Sequence, residues 1–186
     1  LNGITSFSRW SSDSSGASAS IKMIMAGFYN ASANKMSMDD TVRVYLRNTL
    51  FPYAVVDSAK SVLNSTTFGA GFQFVNATSG TYYLQMKHRN TIETWSNAGL
   101  IYNVGTTLNY DFTFAQSYAF GSNQSQVDAS PLRFGMYSGD VNQDGVIDAG
   151  DISPVENDVS AGATGYIVTD VNGDDFADAA DLSIVE

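Results

Sequence analysis

The chain is 186 residues long, 44% apolar and free of Cys, with a net charge of −10. That length suits one ordinary domain and a small second one. The apolar share excludes wholesale disorder, and the lack of Cys excludes disulfides and thiolate chemistry. The acid is unevenly placed: residues 139–186 hold twelve Asp and Glu with no Lys or Arg, against seven acids and nine bases in residues 1–138. A segment carrying −12 repels itself when compact unless something positive neutralises it. Multivalent cation is its natural counter-charge and nucleic acid its least natural partner. No apolar run reaches transmembrane length, so no membrane insertion is expected. The start on Leu1, with no signal-peptide pattern, indicates a processed chain or an excerpt of a longer one.

Residues 1–20, LNGITSFSRWSSDSSGASAS, carry eight Ser with scattered Gly, the composition of an extended arm. Ile4, Phe7 and Trp10 are its apolar exceptions, suited to packing on the domain's own surface or to docking elsewhere. Short segments at 21–29, 41–49, 68–75, 80–89, 92–96, 108–114 and 131–138 are rich in aromatic and β-branched residues. Several alternate: Val42, Val44 and Leu46 oppose Arg43, Tyr45 and Arg47, and Tyr82, Leu84 and Met86 oppose Tyr83, Gln85 and Lys87. Period two means one face buried and one wet. With turn signals at 76–80 and 96–99, it predicts an antiparallel β-sandwich over residues 21–138. Residues 54–64 fit a strand or a short helix equally well. The run FQFVNATSGTYYLQMKH resembles the Gly-x-Tyr strand of transthyretin-like, carboxypeptidase-regulatory-type sandwiches.

DVNQDGVIDAGD (140–151) recurs thirty residues later as DVNGDDFADAAD (170–181). Both place Asp, Asn, Asp, Asp and Asp at loop positions one, three, five, nine and twelve. Calcium is a hard ion that takes six to eight oxygens, and a twelve-residue loop wraps it with ligands at one, three, five, seven, nine and twelve. The spacing therefore predicts two calcium ions. Asp140, Asn142, Asp144, the Val146 carbonyl, Asp148 and Asp151 form the first set; Asp170, Asn172, Asp174, the Phe176 carbonyl, Asp178 and Asp181 form the second. Asp148 and Asp178 would bind directly or through water. Gly145 sits where the chain turns sharply with positive φ; Asp175 takes that place in the second loop, which weakens the site. The alternative is a pair of acidic Asx turns that hold no metal.

A β-type segment runs into the first loop where an EF-hand has a helix, and position twelve is Asp where an EF-hand usually has Glu. A duplicated loop-then-helix with Asp at twelve resembles a type I dockerin over residues 139–186. The resemblance implies a small α domain with EF-hand-like calcium loops and helices beginning in DISPVENDV and DLSIVE. It also implies that Ile147 and Ala177, at position eight, pair across a pseudo-twofold. In dockerins a Ser-Thr-like pair at ten and eleven recognises cohesin; here those positions are Ala149-Gly150 and Ala179-Ala180. A sandwich followed by such loops is similar to C-terminal modules of large secreted bacterial proteins.

His88 is the lone His, and a catalytic role would pair it with Glu93; between Lys87 and Arg89 in a strand it reads as a hydrogen-bonded structural residue. No nucleophile elbow, phosphate loop or HExxH is present, and no enzymatic activity is expected. Arg43, Tyr45 and Arg47 form a solvated face or a patch for acidic surfaces. Sequons at Asn30, Asn64, Asn76 and Asn123 and the Ser-rich 11–20 stretch are candidate sugar sites, and glycans are a further class of partner. The expected fold is thus mainly β, a sandwich followed by a small α calcium-loop domain. The expected function is that of an extracellular structural module at the cell surface. It either self-associates into a filament, its arm adding a strand to a neighbour's sheet, or docks on a surface or scaffold protein as dockerins do.

Overall fold

A computed structural model describes residues 18–186. Most of the expected arm lies outside the described residues, but its last three residues open the first strand.

The strands follow the period-two pattern. In chain order they are β1 (Ser18–Lys22), β2 (Tyr29–Asn30), β3 (Lys35–Met36), β4 (Asp40–Asn48), β5 (Val55–Leu63) and β6 (Gly69–Gln73). Then come β7 (Gly80–Lys87), β8 (Thr94–Trp95), β9 (Leu100–Tyr102), β10 (Thr107–Asp111), β11 (Ser125–Ala129) and β12 (Leu132–Gly135). The ambiguous run at 54–64 is strand, as β5 over Val55–Leu63. β4, β5, β7 and β8, with β9 also on β7, form an antiparallel sheet of five strands. The facing sheet is β10-β1-β6, and here the expectation of a purely antiparallel sandwich needs correction, because β1 pairs with β10 in parallel. Strands this far apart in sequence need no hairpin, so the early strand is free to slot between β6 and β10 in either sense.

Between the sheets, Ala19 and Ile21 of β1 and Ala70 and Phe72 of β6 join Val42, Val44 and Leu46 of β4 and Tyr82, Leu84 and Met86 of β7 in one core. On the outward face, Gln85 departs from the pattern: it is 1% exposed because Arg47, Glu93 and Trp95 close over it. Arg47 Nε donates to Gln85 Oε1 at 2.7 Å, and Gln85 Nε2 donates to Glu93 Oε2 at 2.6 Å.

Residues 139–186 carry two helices, α1 (Ala149–Ala161) and α2 (Ala179–Val185), around a second core of Val141, Val155, Val171 and Val185. The thirty-residue repeat is visible in that core, since Val141 matches Val171 and Val155 matches Val185. The expected pairing of Ile147 with Ala177 does not form. Phe176 instead bridges to Thr164, and the Ala177 amide donates to the Ala163 carbonyl at 3.0 Å. The segment after α1 folds back and takes the partner's place, while Ile147 packs over Gly139.

The C-terminal module sits directly on the sandwich. A Cβ on Gly27 would lie 2.5 Å from the Val171 carbonyl, and one on Gly173, at φ +74°, would lie 2.7 Å from the Phe28 ring. Two glycines thus let backbone approach closely from both sides. Leu46→Ala should cost about 2–5 kcal/mol in urea unfolding because it opens a cavity in the sandwich core. Val62→Ala, at a position 58% exposed on β5, should change stability by less than about 0.5 kcal/mol.

Candidate metal centre and its contact with the sandwich

The two loops build the same local structure because they share a register. The position-twelve carboxylates, Asp151 and Asp181, are fully buried. Asp151 Oδ1 accepts the Val141 and Asn142 amides at 2.7 and 3.0 Å, and Oδ2 accepts the Asp148 amide at 3.0 Å. Asp181 repeats this with Val171, Asn172 and Asp178 at 2.6, 3.0 and 2.9 Å. The position-nine residues have a role that the ligand pattern alone does not suggest: Asp148 and Asp178 are helix N-caps, accepting the Gly150 and Ala180 amides at 2.7 Å each. Together with Asp151 and Asp181 they form capping boxes, a device readable from Asp followed three residues later by a second acid before an apolar run.

Positions three and five make Asx turns. Asn142 Oδ1 accepts the Asp144 amide and Asp144 Oδ1 the Val146 amide; Asn172 and Asp174 do the same for Asp174 and Phe176. Gly145 takes φ +90° and Asp175 φ +69°, the left-handed turn expected at both places. Among the described residues no three acidic or His side chains converge as a metal cluster, since these carboxylates are turned onto amides.

The first residues of the loops differ. Asp140 is 2% exposed; its Oδ2 accepts the Gly145 amide at 3.2 Å, and its Oδ1 is buried without a hydrogen-bond partner. Burial pushes this carboxyl's pKa up, and the charges of Asp151 and Asp144 push it the same way against the Gly145 amide. Burial likewise pushes Asp181 up, with Asp170 adding to it against three amides. A buried carboxylate oxygen without a donor, amid Asp and Asn oxygens, fits a hard oxygen-seeking cation such as calcium. Asp170 is equally buried but has no orphan oxygen. Oδ1 accepts the Gly173 and Asp174 amides at 2.7 and 3.0 Å, and Oδ2 takes the Asp175 amide and Arg89 Nη2, both at 3.3 Å.

Arg89 comes from the sandwich, just past β7, and its side chain is 9% exposed. Its Nε donates to Asp40 Oδ2 at 3.0 Å, and its guanidinium lies 4.5 Å above the Tyr166 ring. Asp40 is satisfied on all sides: Oδ1 accepts the Thr41 amide and the Tyr166 hydroxyl at 2.5 Å each, and Oδ2 accepts His88 Nε2 at 2.8 Å. Burial alone would raise this carboxyl. The hydrogen bond from His88, then those from Tyr166 and Arg89, outweigh burial and hold it well below the usual carboxylate range. Burial pushes His88 down, and Arg89 adds to it against Asp40, so the neutral ring donates from Nε2. Glu93, the partner a catalytic His88 would need, is instead engaged by Gln85, Lys87 and Trp95. Asn90 completes the seam: its Nδ2 donates to the Asp170 and Val168 carbonyls at 2.7 and 3.1 Å, and its carbonyl accepts the Gly139 amide at 2.8 Å.

Fold and site together define a β-sandwich bearing a duplicated loop-helix module. The family model of the Dockerin type I domain matches residues 138–186, so the C-terminal module is of dockerin type. None of the curated proteins matches the chain. Among solved structures, the chain is similar to one from a type II cohesin-X-dockerin complex of Acetivibrio cellulolyticus, a C-terminal interface mutant. The TM-score is 0.53 and the identity 16%, over 91% of this chain and 93% of that one. An N-terminal interface mutant of the same complex aligns over the same shares with a TM-score of 0.47 and 16% identity. At that identity the first likeness speaks for the fold alone.

Asp40 generates a pH prediction. Its folded pKa lies below the unfolded value of about 3.9, so its contribution is complete above that pH and is lost as pH falls further. Urea midpoints measured from pH 6 down to pH 2 should fall steeply below about pH 4, and Asp40→Asn should flatten that limb while lowering the plateau.

Proposed function

We propose that the chain is a non-enzymatic, extracellular docking module whose C-terminal, dockerin-type part folds around calcium and engages a scaffold or surface protein. The observation that carries the reading is the duplicated loop: two copies in one register, closed by a buried Asp and followed by a capped helix, with the Asp140 Oδ1 oxygen buried and unpartnered. In the first loop Asp140, Asn142, Asp144, the Val146 carbonyl, Asp148 and Asp151 would hold one ion; Asp170, Asn172, Asp174, the Phe176 carbonyl, Asp178 and Asp181 would hold a second. Bound calcium supplies the positive charge that lets these carboxylates gather. The protein's own share is to hold each Asp in place through amide hydrogen bonds and to cap the two helices.

The second core is small, four buried valines with partly buried neighbours, and modules of this size commonly lean on metal for stability. The likeness of residues 138–186 to dockerins favours a scaffold partner of the cohesin kind. Ala149, Gly150, Ala179 and Ala180, all exposed, offer that partner shape and apolar contact rather than hydroxyls. Titration calorimetry should register calcium uptake, and thermal melts should shift upward with calcium and back with chelator. At a hundredfold excess over Kd the gain is about 2.7 kcal/mol. No uptake at millimolar calcium would overturn the reading.

Self-association into a filament is the second reading, favoured by an exposed aromatic groove. Tyr53, Tyr83, Trp95 and Phe120 line a cavity of about 280 Å³ on the outer face of the five-stranded sheet. Leu50 and Phe51 nearby are 79% and 86% exposed and add bare apolar surface beside it. The arm of a second copy, with Phe7 and Trp10, has the chemistry to fill it. Truncation belongs after residue 17, because β1 starts at Ser18. If the reading holds, the truncated chain loses the large species that light scattering records for the full chain. Unchanged scattering would count against it.

A further inference from the structure

The two loops match in sequence at every side-chain ligand position, yet the structure sets them in different electrostatic surroundings. In the loop at 140–151, the first carboxylate has one oxygen buried and without a donor. In the loop at 170–181, the matching carboxylate is bonded through both oxygens, and one of the donors is a cation from the sandwich. Arg89 Nη2 stands 3.3 Å from Asp170 Oδ2, and the side chain is nearly buried. Among the described residues, no Lys or Arg forms an ion pair with the first loop.

Resting on the calcium reading above, we propose that Arg89 is a resident counter-cation of the second loop. It lowers that loop's calcium affinity, so the first loop fills before the second.

Three physical steps support this. A guanidinium bonded to a prospective ligand carboxylate repels an incoming dication, and near-burial limits the screening that water would provide. Both oxygens of Asp170 already have donors, so coordination there gives up existing bonds, whereas Asp140 Oδ1 gives up none. The left-handed Asp175 acts in the same direction, since the first loop has Gly at that turn.

The placement of Arg89 also links the second loop to the sandwich. Its Nε is held by Asp40, and Asp40 in turn accepts the Tyr166 hydroxyl from the C-terminal module. Arg89 cannot withdraw from Asp170 without disturbing that buried group. Calcium entering the second loop therefore changes how firmly the module is held, and by reciprocity the state of the seam changes calcium affinity there. The first loop reaches the sandwich through neutral contacts such as Gln143 Nε2 to the Thr91 carbonyl at 3.3 Å, and has no such link.

The test is calorimetric titration of the full chain with calcium. Two events are expected, the tighter abolished by Asp151→Asn and the weaker by Asp181→Asn. Arg89→Gln should tighten the weaker event roughly tenfold, the order of one charge's influence at a partly screened site, and leave the tighter one unchanged. Because that variant also loosens the seam, the filling order is measured independently in chains that keep Arg89. Terbium luminescence should report tighter uptake by Asp181→Asn, which retains the first loop, than by Asp151→Asn, which retains the second. Equal affinities, the reverse order, or a folded Arg89→Gln chain with an unchanged or weakened second event would overturn the proposal while leaving the calcium reading intact. No uptake by any chain would overturn both.

Discussion

Residues 139–186 carry −12 and pack against a sandwich rather than trailing from it, so each buried carboxylate in the seam must meet a donor or a cation. Arg89 meets that demand for two of them, standing between Asp40 of the sandwich and Asp170 of the second loop. A planar guanidinium suits the task because its Nε and Nη2 reach separate carboxylates while its face lies over Tyr166. Around it, Asn90 fixes two carbonyls of the module, Gly27 lets the backbone approach the Val171 carbonyl, and Gly173 makes room for the Phe28 ring. Without Arg89, Asp170 would be left in the interior without a cation. Arg89 therefore supplies the one ion pair between module and sandwich among the described residues, beside the neutral hydrogen bonds around it.

The same demand explains how the loops are built. A repeated register produces the same amide cradle around Asp151 and Asp181 and the same N-caps at Asp148 and Asp178, because those bonds are local. Differences enter only where a loop meets something outside itself. Asp170 faces Arg89, while Asp140 lies beside Gln143 and Gly145 with an oxygen unspent. Local hydrogen bonding makes the loops alike, and long-range packing makes them unequal.

That division also marks what could be read in advance. Val42, Val44 and Leu46 announce a buried strand face by alternation, and the Asp spacing announces the loops and helix starts; both are short-range patterns. The Asp40–His88 pair joins residues forty-eight apart, Arg89–Asp170 eighty-one apart, and Tyr166–Asp40 one hundred and twenty-six apart. No periodicity reports such contacts. The charge imbalance does indicate that a cation must be found, and the sandwich holds every Lys and Arg among the described residues, but the imbalance does not say which one answers. The parallel pairing of β1 with β10 escaped for the same reason, as did burial of Gln85 on an outward face, which depends on Arg47 from one segment and Glu93 and Trp95 from another.

A module held to its sandwich by a buried Arg and several neutral hydrogen bonds behaves as an extension of the sandwich rather than a tethered hook. A partner engaging α1 or α2 would then pull on the core of the sandwich through Asp40 and Asn90, with no flexible linker to absorb the load. The cost of such rigidity is orientational, since a fixed module meets its receptor from fewer directions and binds more slowly than a tethered one. The gain is that less conformational freedom is lost when it binds. A rigid seam thus trades the speed of first encounter for durability of the complex that forms.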